Sequence, residues 1–115
     1  MDDPLIDMKY ILIKMKFSII TVVKNDISKI GLTIKSLKNQ SFKDYEHIIL
    51  DGESTDGTSE FLKKISNKKT LYFREKDKSI YDALNKSFKK AKGEYFIVLH
   101  SGDFFYSKHS LSILS

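Results

Sequence analysis

Four short apolar runs, separated by amphipathic segments, limit what this chain can become more than any other feature of it. They are FSIITVV (17–23), EHIIL (46–50), TLYFR (70–74) and YFIVL (95–99). The first is continuous and rich in β-branched residues, which suits a strand buried on both faces; TLYFR is the weakest of the four. Between the strands the apolar spacing turns helical. Ser28 fits a helix N-cap, with Ile27 and Leu32 at the two positions of a hydrophobic staple. Ile30, Ile34 and Leu37 form one stripe, and that helix should end near Asn39. A short second helix carries Phe61, Leu62 and Ile65. Ser79 caps a third, whose apolar positions are Ile80, Ala83, Leu84, Phe88 and Ala91, with Gly93 where a C′ residue belongs. The order β-α-β-α-β-α-β predicts an α/β fold with a mostly parallel, Rossmann-like sheet and flanking helices.

Composition narrows the function classes. The chain has 115 residues, 41% of them hydrophobic, enough for the core of one domain. It has no cysteine, which removes disulfides, thiolate metal sites and a cysteine nucleophile, and fits a reducing, cytoplasmic setting. No apolar run is long enough to span a bilayer, and the N-terminus lacks a signal-peptide layout. The formal net charge of +5 is carried almost wholly by lysine, with one arginine, Arg74. Lys63, Lys64, Lys86, Lys89 and Lys90 fall where helices face solvent, so the charge reads as solvated faces and not as a nucleic-acid surface. It leaves room for peripheral attraction to an anionic membrane. Residues 1–14, MDDPLIDMKYILIK, form an extension of unassigned role before a second natural start at Met15.

In a parallel sheet, ligands bind beyond the carboxyl ends of the strands. The conspicuous polar clusters all fall there: Lys24-Asn25-Asp26, Asp51-Gly52-Glu53-Ser54, Glu75-Lys76-Asp77-Lys78 and His100-Ser101-Gly102-Asp103. Asp51 in LDGESTDGT can accept hydrogen bonds from a base or ribose, with Gly52 admitting the ligand; the same residues also make an ordinary strand–turn–helix connection, with Ser54, Thr55 and Asp56 as cap. Tyr81 and Asn85 share a helical face distinct from the core stripe. Asp103 in LHSGDFF stands alone as a carboxylate, which suffices for a magnesium-like ion only when phosphates complete the shell. A plain Ser-Gly-Asp turn explains it equally. No P-loop and no GxGxxG is present, and neither an acidic phosphoacceptor cluster nor a flavin-binding loop supports a signalling module.

Together, FSIITVVKND, EHIILDGESTDGT and EKDKSIYDALNKSFKKAKGEYFIVLHSGDFF resemble the N-terminal half of family 2 glycosyltransferases of the GT-A fold, most closely the bacterial surface-polysaccharide group of the colanic-acid type. The likeness runs from about Met15 to Phe105. It implies a nucleotide-diphospho-sugar donor, a UDP-sugar by preference, held by Thr21, Val22 and Asp51, with Asp77 as a further base-side residue. Asn85 is added as a nucleotide-side candidate from the helical face it shares with Tyr81, which can project into the cleft. It also implies Mg²⁺ or Mn²⁺ on Asp103, the last position of a DXD-type motif. Gly102 and His100 depart from that motif, which weakens the ribose contact. The resemblance further implies inversion at the anomeric carbon and a glycan or lipid-linked acceptor, reached from the inner face of the membrane. Its general base is expected beyond Ser115, so 15–115 reads as a donor-binding half-domain. An unfinished sheet would favour a homo-oligomer that covers the exposed core.

Overall fold

The computed structural model describes residues 16–115; the 1–14 extension lies outside the described residues. Four strands form one sheet: β1 (Phe17–Val23), β2 (Tyr45–Asp51), β3 (Thr70–Arg74) and β4 (Tyr95–Val98). Their order is β3-β2-β1-β4 and every pairing is parallel. Helices α1 (Ile27–Lys38), α2 (Thr58–Ile65) and α3 (Ile80–Lys90) connect them, and α4 (Ser110–Leu114) follows β4. The expected α/β architecture is therefore present, with strand bounds within a residue of those read from the sequence.

Alternation along β1 and β2 divides the sheet into two faces. Phe17, Ile19 and Val23 join Tyr45 and Ile49 beneath α1 and α2, where Ile30, Ile34, Leu37 and Leu62 close the core. Ile20, Ile48 and Leu50 are fully buried on the opposite face, which α3 covers. That helix seats through its smallest residues: Ala83 and Ser87 are buried, while Ile80 is 48% exposed. The expected Ile80/Leu84/Phe88 stripe is thus rotated toward small side chains, which let the helix lie close to the sheet.

Three local expectations change. Helix α1 begins at Ile27, one residue before the expected cap, and Ile27 and Leu32 stay exposed, so no staple forms. Asp26 occupies the N-cap position but makes no side-chain capping bond. Ser79 does cap α3, accepting from the Asp82 amide at 3.2 Å. Gly93 serves a different purpose from ending that helix. Ala91 is the C-cap, in extended conformation, and a Cβ on Gly93 would stand 2.6 Å from the Ser18 amide nitrogen. Gly93 is a close-approach glycine, letting the α3–β4 connection press against the backbone of β1. Its amide donates to Ser18 Oγ (2.8 Å), and Ser18 in turn donates to the buried Glu46 carboxylate (2.6 Å).

Candidate functional site

The chain leaves β1 for β2 and β3 on one side, then returns across the sheet to β4 on the other. The reversal falls between β1 and β4, and a topological switch of this kind opens a crevice at the carboxyl edge. The loops after β1, β2 and β4 meet at that edge, and each holds a residue in the left-handed region: Asn25 (φ 51°), Glu53 (φ 62°) and Gly102 (φ 93°). For asparagine, and more so for glutamate, that conformation is uncommon and persists only where surroundings enforce it.

The surroundings are a mesh of side-chain bonds. The Asn25 amide donates to Ser54 Oγ (2.8 Å) and Asn25 Oδ1 accepts from the Thr55 amide (2.7 Å). Asp56 accepts from the Ile27 amide (3.1 Å) and the Thr58 amide (3.0 Å). Thr58 Oγ1 accepts from the Asp26 amide (3.2 Å). Ser54 and Thr55 therefore tie the β2–α2 loop to the β1–α1 loop, and Asp56 does both, holding the Ile27 amide and the first amide of α2, whose N-cap is Gly57 in the left-handed region.

Asp51 ends β2 fully buried. Its Oδ1 accepts from the Ser54 amide (3.0 Å) and Ser54 Oγ (2.6 Å); its Oδ2 accepts from Tyr72 OH (2.6 Å) and from Ser59 Oγ. A carboxylate offers about four lone-pair sites, so this one is saturated from within. Burial pushes its pKa up, but the bonds from Ser54, Ser59 and Tyr72 outweigh that and hold it below the ordinary aspartate value. Burial and the bond to Asp51 push the Tyr72 phenol up to about 12. Thr21 is likewise committed: its hydroxyl meets His47 Nε2 at 2.8 Å, and burial lowers His47 to about 3, so the imidazole is neutral. Val22 is half-buried and pairs with Leu50 in the sheet register.

Asp77 stands at the open edge. A Cβ on Gly52 would meet Asp77 Oδ2 at 2.6 Å and Lys24 Cδ at 3.6 Å, so both side chains lie over the bare Gly52 backbone. Asn85 and Tyr81 are exposed on α3, as their shared face predicts. Asp103 is exposed too, but its backbone is fixed: its amide donates to His100 O (2.9 Å) and its carbonyl accepts from Thr33 Oγ1 (2.7 Å). Thr33 Oγ1 also accepts from the Gly102 amide (2.8 Å), Ser36 takes the Phe105 amide (2.6 Å), and Ser101 donates to Asp26 (2.7 Å). Behind Asp103, Phe105 packs against the core while Phe104 remains 61% exposed. Thr33 is the residue that sequence reasoning missed. Its signal was a hydroxyl inside the apolar stripe, three residues after Ile30 and beside Ile34.

Comparison with known proteins now decides the lineage. Residues 18–114 match the family described as "Glycosyl transferase family 2". The chain belongs to that family. An uncharacterized glycosyltransferase of Rickettsia bellii is 35% identical over 107 residues, 91% of this chain and 16% of the relative. A cholesterol galactosyltransferase of Borreliella burgdorferi is 33% identical over 98 residues, 84% of this chain and 27% of the relative. The crystal structure of Staphylococcus aureus TarS 1–349 in complex with UDP superposes with a TM-score of 0.76 at 27% identity, covering 87% of this chain and 31% of that one. The sheet order and flanking helices are those of a GT-A glycosyltransferase. The chain thus spans less than a third of the length of each of these proteins.

Within family 2, a divalent cation would find one free carboxylate on the Gly102 turn, Asp103, with Asp26 tied to the same turn through Ser101. No group of three or more His, Asp or Glu side chains that could hold a metal occurs among the described residues. This donor set fits a hard ion that keeps its waters and shares phosphate oxygens; it does not fit an all-protein cage. No helix among the described residues is long and apolar enough to cross a membrane.

Proposed function

We propose that this chain is the donor-binding part of a family 2 glycosyltransferase, taking a nucleotide-diphospho-sugar, preferably a UDP-sugar, and directing it toward a glycan or lipid-linked acceptor in surface-polysaccharide synthesis. The observation that carries the reading is the likeness to UDP-bound TarS over 87% of the chain, joined to an edge where the loops after β1, β2 and β4 are held by side-chain bonds. Asp77, over Gly52, would accept from the nucleobase, with Val22 and Asn85 as further nucleotide-side residues. Asp51 and Thr21, expected as direct contacts, act one step back: Asp51 fixes Ser54, and Ser54 fixes the Asn25 loop that a nucleoside would lie against.

Asp103 is the residue that would hold Mg²⁺ or Mn²⁺, and such an ion supplies charge neutralisation to the leaving diphosphate when bound. The chain's own contribution is positional: Thr33 and Ser36 set the turn so that the Asp103 carboxylate stays at the edge without an internal partner. The transfer inverts the anomeric carbon, at the cytoplasmic side of the membrane. What the described residues contribute to it is donor binding.

Calorimetric titration with uridine, UDP, GDP and a UDP-sugar, with and without Mn²⁺, tests this. Uridine and UDP should bind, UDP more tightly with metal. A chain that binds no nucleotide overturns the reading.

A further inference from the structure

The Gly102 turn carries a cation as well as a carboxylate. Lys29 lies in the first turn of α1, and its stem runs across Gly102: its Cδ, Cβ and Cγ stand 3.3, 3.5 and 3.9 Å from where a Gly102 Cβ would be. Lys29 is exposed overall, and methylenes resting on a bare backbone keep its stem near the turn while its charged end stays in water. Several other lysines on this chain are engaged, Lys86 with Asp82, Lys90 with Glu75, and Lys43 and Lys69 with backbone carbonyls. The Lys29 ammonium has no ion-pair or hydrogen-bond partner among the described residues. Its base is fixed, since the Lys29 amide donates to Asp26 O (3.1 Å) and the Asp26 carboxylate takes the Ser101 hydroxyl from the same turn (2.7 Å).

Gly102 therefore does two things. It adopts φ 93°, which side chains resist, and it leaves the space that the Lys29 stem occupies. Two carboxylates border the turn, Asp103 on it and Asp26 bonded to Ser101, and neither forms an ion pair with the Lys29 ammonium among the described residues.

We infer that Lys29 is a phosphate-recognising residue of the donor site, its ammonium meeting the diphosphate from the α1 side of the Gly102 turn that also carries Asp103. The inference rests on the donor-nucleotide reading above and adds a residue to it. A lysine serves here as a point charge, which suits an anion whose oxygens shift between ground state and leaving group.

The test is calorimetric titration of uridine and UDP, without added metal, into the 115-residue wild type, Lys29→Met and Lys29→Arg at low and high salt. Methionine keeps an apolar stem over Gly102 and removes the charge. Lys29→Met should bind UDP about fivefold more weakly, the size of one solvent-exposed ion contact, with uridine affinity unchanged. Arginine should restore most of the loss, and the gap should close at high salt. Equal UDP affinity in wild type and Lys29→Met overturns the assignment while leaving the donor reading intact. Parallel loss of uridine and UDP also overturns it, since the lysine would then only shape the turn. A wild type that binds neither ligand removes the donor reading and the role of Lys29 with it.

Discussion

Asp51 and Asp103 end parallel strands at one edge of one sheet, yet the protein treats them in opposite ways. At the end of β2 the carboxylate is buried and takes four donors from Ser54, Ser59 and Tyr72. After β4 the carboxylate is exposed, and it is the surrounding backbone that is held, by Thr33 and Ser36. A side chain whose acceptor sites are all filled from within is part of the scaffold. One whose main chain is pinned while its oxygens stay free keeps them open to solvent or to a ligand. Residue type and strand-end position alone do not separate the two.

The largest expected effect comes from breaking the saturated end. Asp51→Ala leaves Tyr72, Ser59 and Ser54 without their acceptor in a buried space, and should cost about 3–4 kcal/mol in urea unfolding. A loss under 1 kcal/mol, well below the usual price of orphaned buried donors, would mean that the network is ornamental. Next comes the pair lying beneath the same edge, Thr21 and His47. His47 is held at about 3 by burial against 6.5 when free. Its folded pKa is depressed, so the unfolded chain binds the extra proton. Stability is then complete above pH 6.5 and falls as the pH drops toward 3, by about 1.4 kcal/mol per unit. Urea midpoints at pH 7.5 and 5.5 should show that loss in wild type and not in His47→Gln; identical pH dependence in both would place the titrating group elsewhere.

A smaller effect is expected from Gly102→Ala, which must hold φ 93° and displace the Lys29 stem: about 1–2 kcal/mol of stability, read by thermal melting. Smallest of all is Asp103→Asn. Its unfolding free energy should stay within about 0.5 kcal/mol of wild type, as for other exposed changes. The same variant should lose whatever enhancement Mn²⁺ gives to UDP binding while keeping uridine binding. If it unfolds as readily as Asp51→Ala, the contrast between the two aspartates collapses.

The sheet was legible because its signal is periodic and local: buried runs of strand length alternating with 3.6-residue stripes leave few topologies. The site was legible as an edge but not as a set of free atoms. Nothing near Asp51 in sequence announces that Ser59 and Tyr72, eight and twenty-one residues on, will fill its oxygens. Those donors arrive from α2 and β3, and only packing brings them together. Gly93 shows the same gap: a glycine after a helix fits a C′ role, while its actual constraint, the Ser18 backbone, lies 75 residues away. Thr33 was visible as an odd hydroxyl in a core stripe, and its partners came from the far end of the chain.

The bonds that join the β1–α1 and β2–α2 loops have a kinetic consequence. The amides of Asn25, Asp26, Ile27 and Thr55 all donate across to side chains of the opposite loop. Surface loops ordinarily exchange their amide protons quickly, because each can open alone. Here neither loop can lift without releasing the other, so these four amides should exchange together and slowly, as one unit. Any segment that folds over an incoming ligand must then come from elsewhere on the rim. The stretch from Glu75 to Ser79 is tied down differently, by the Glu75 amide on Asp51 O, the Lys86 ammonium on Lys76 O and the Lys78 amide on Asp82.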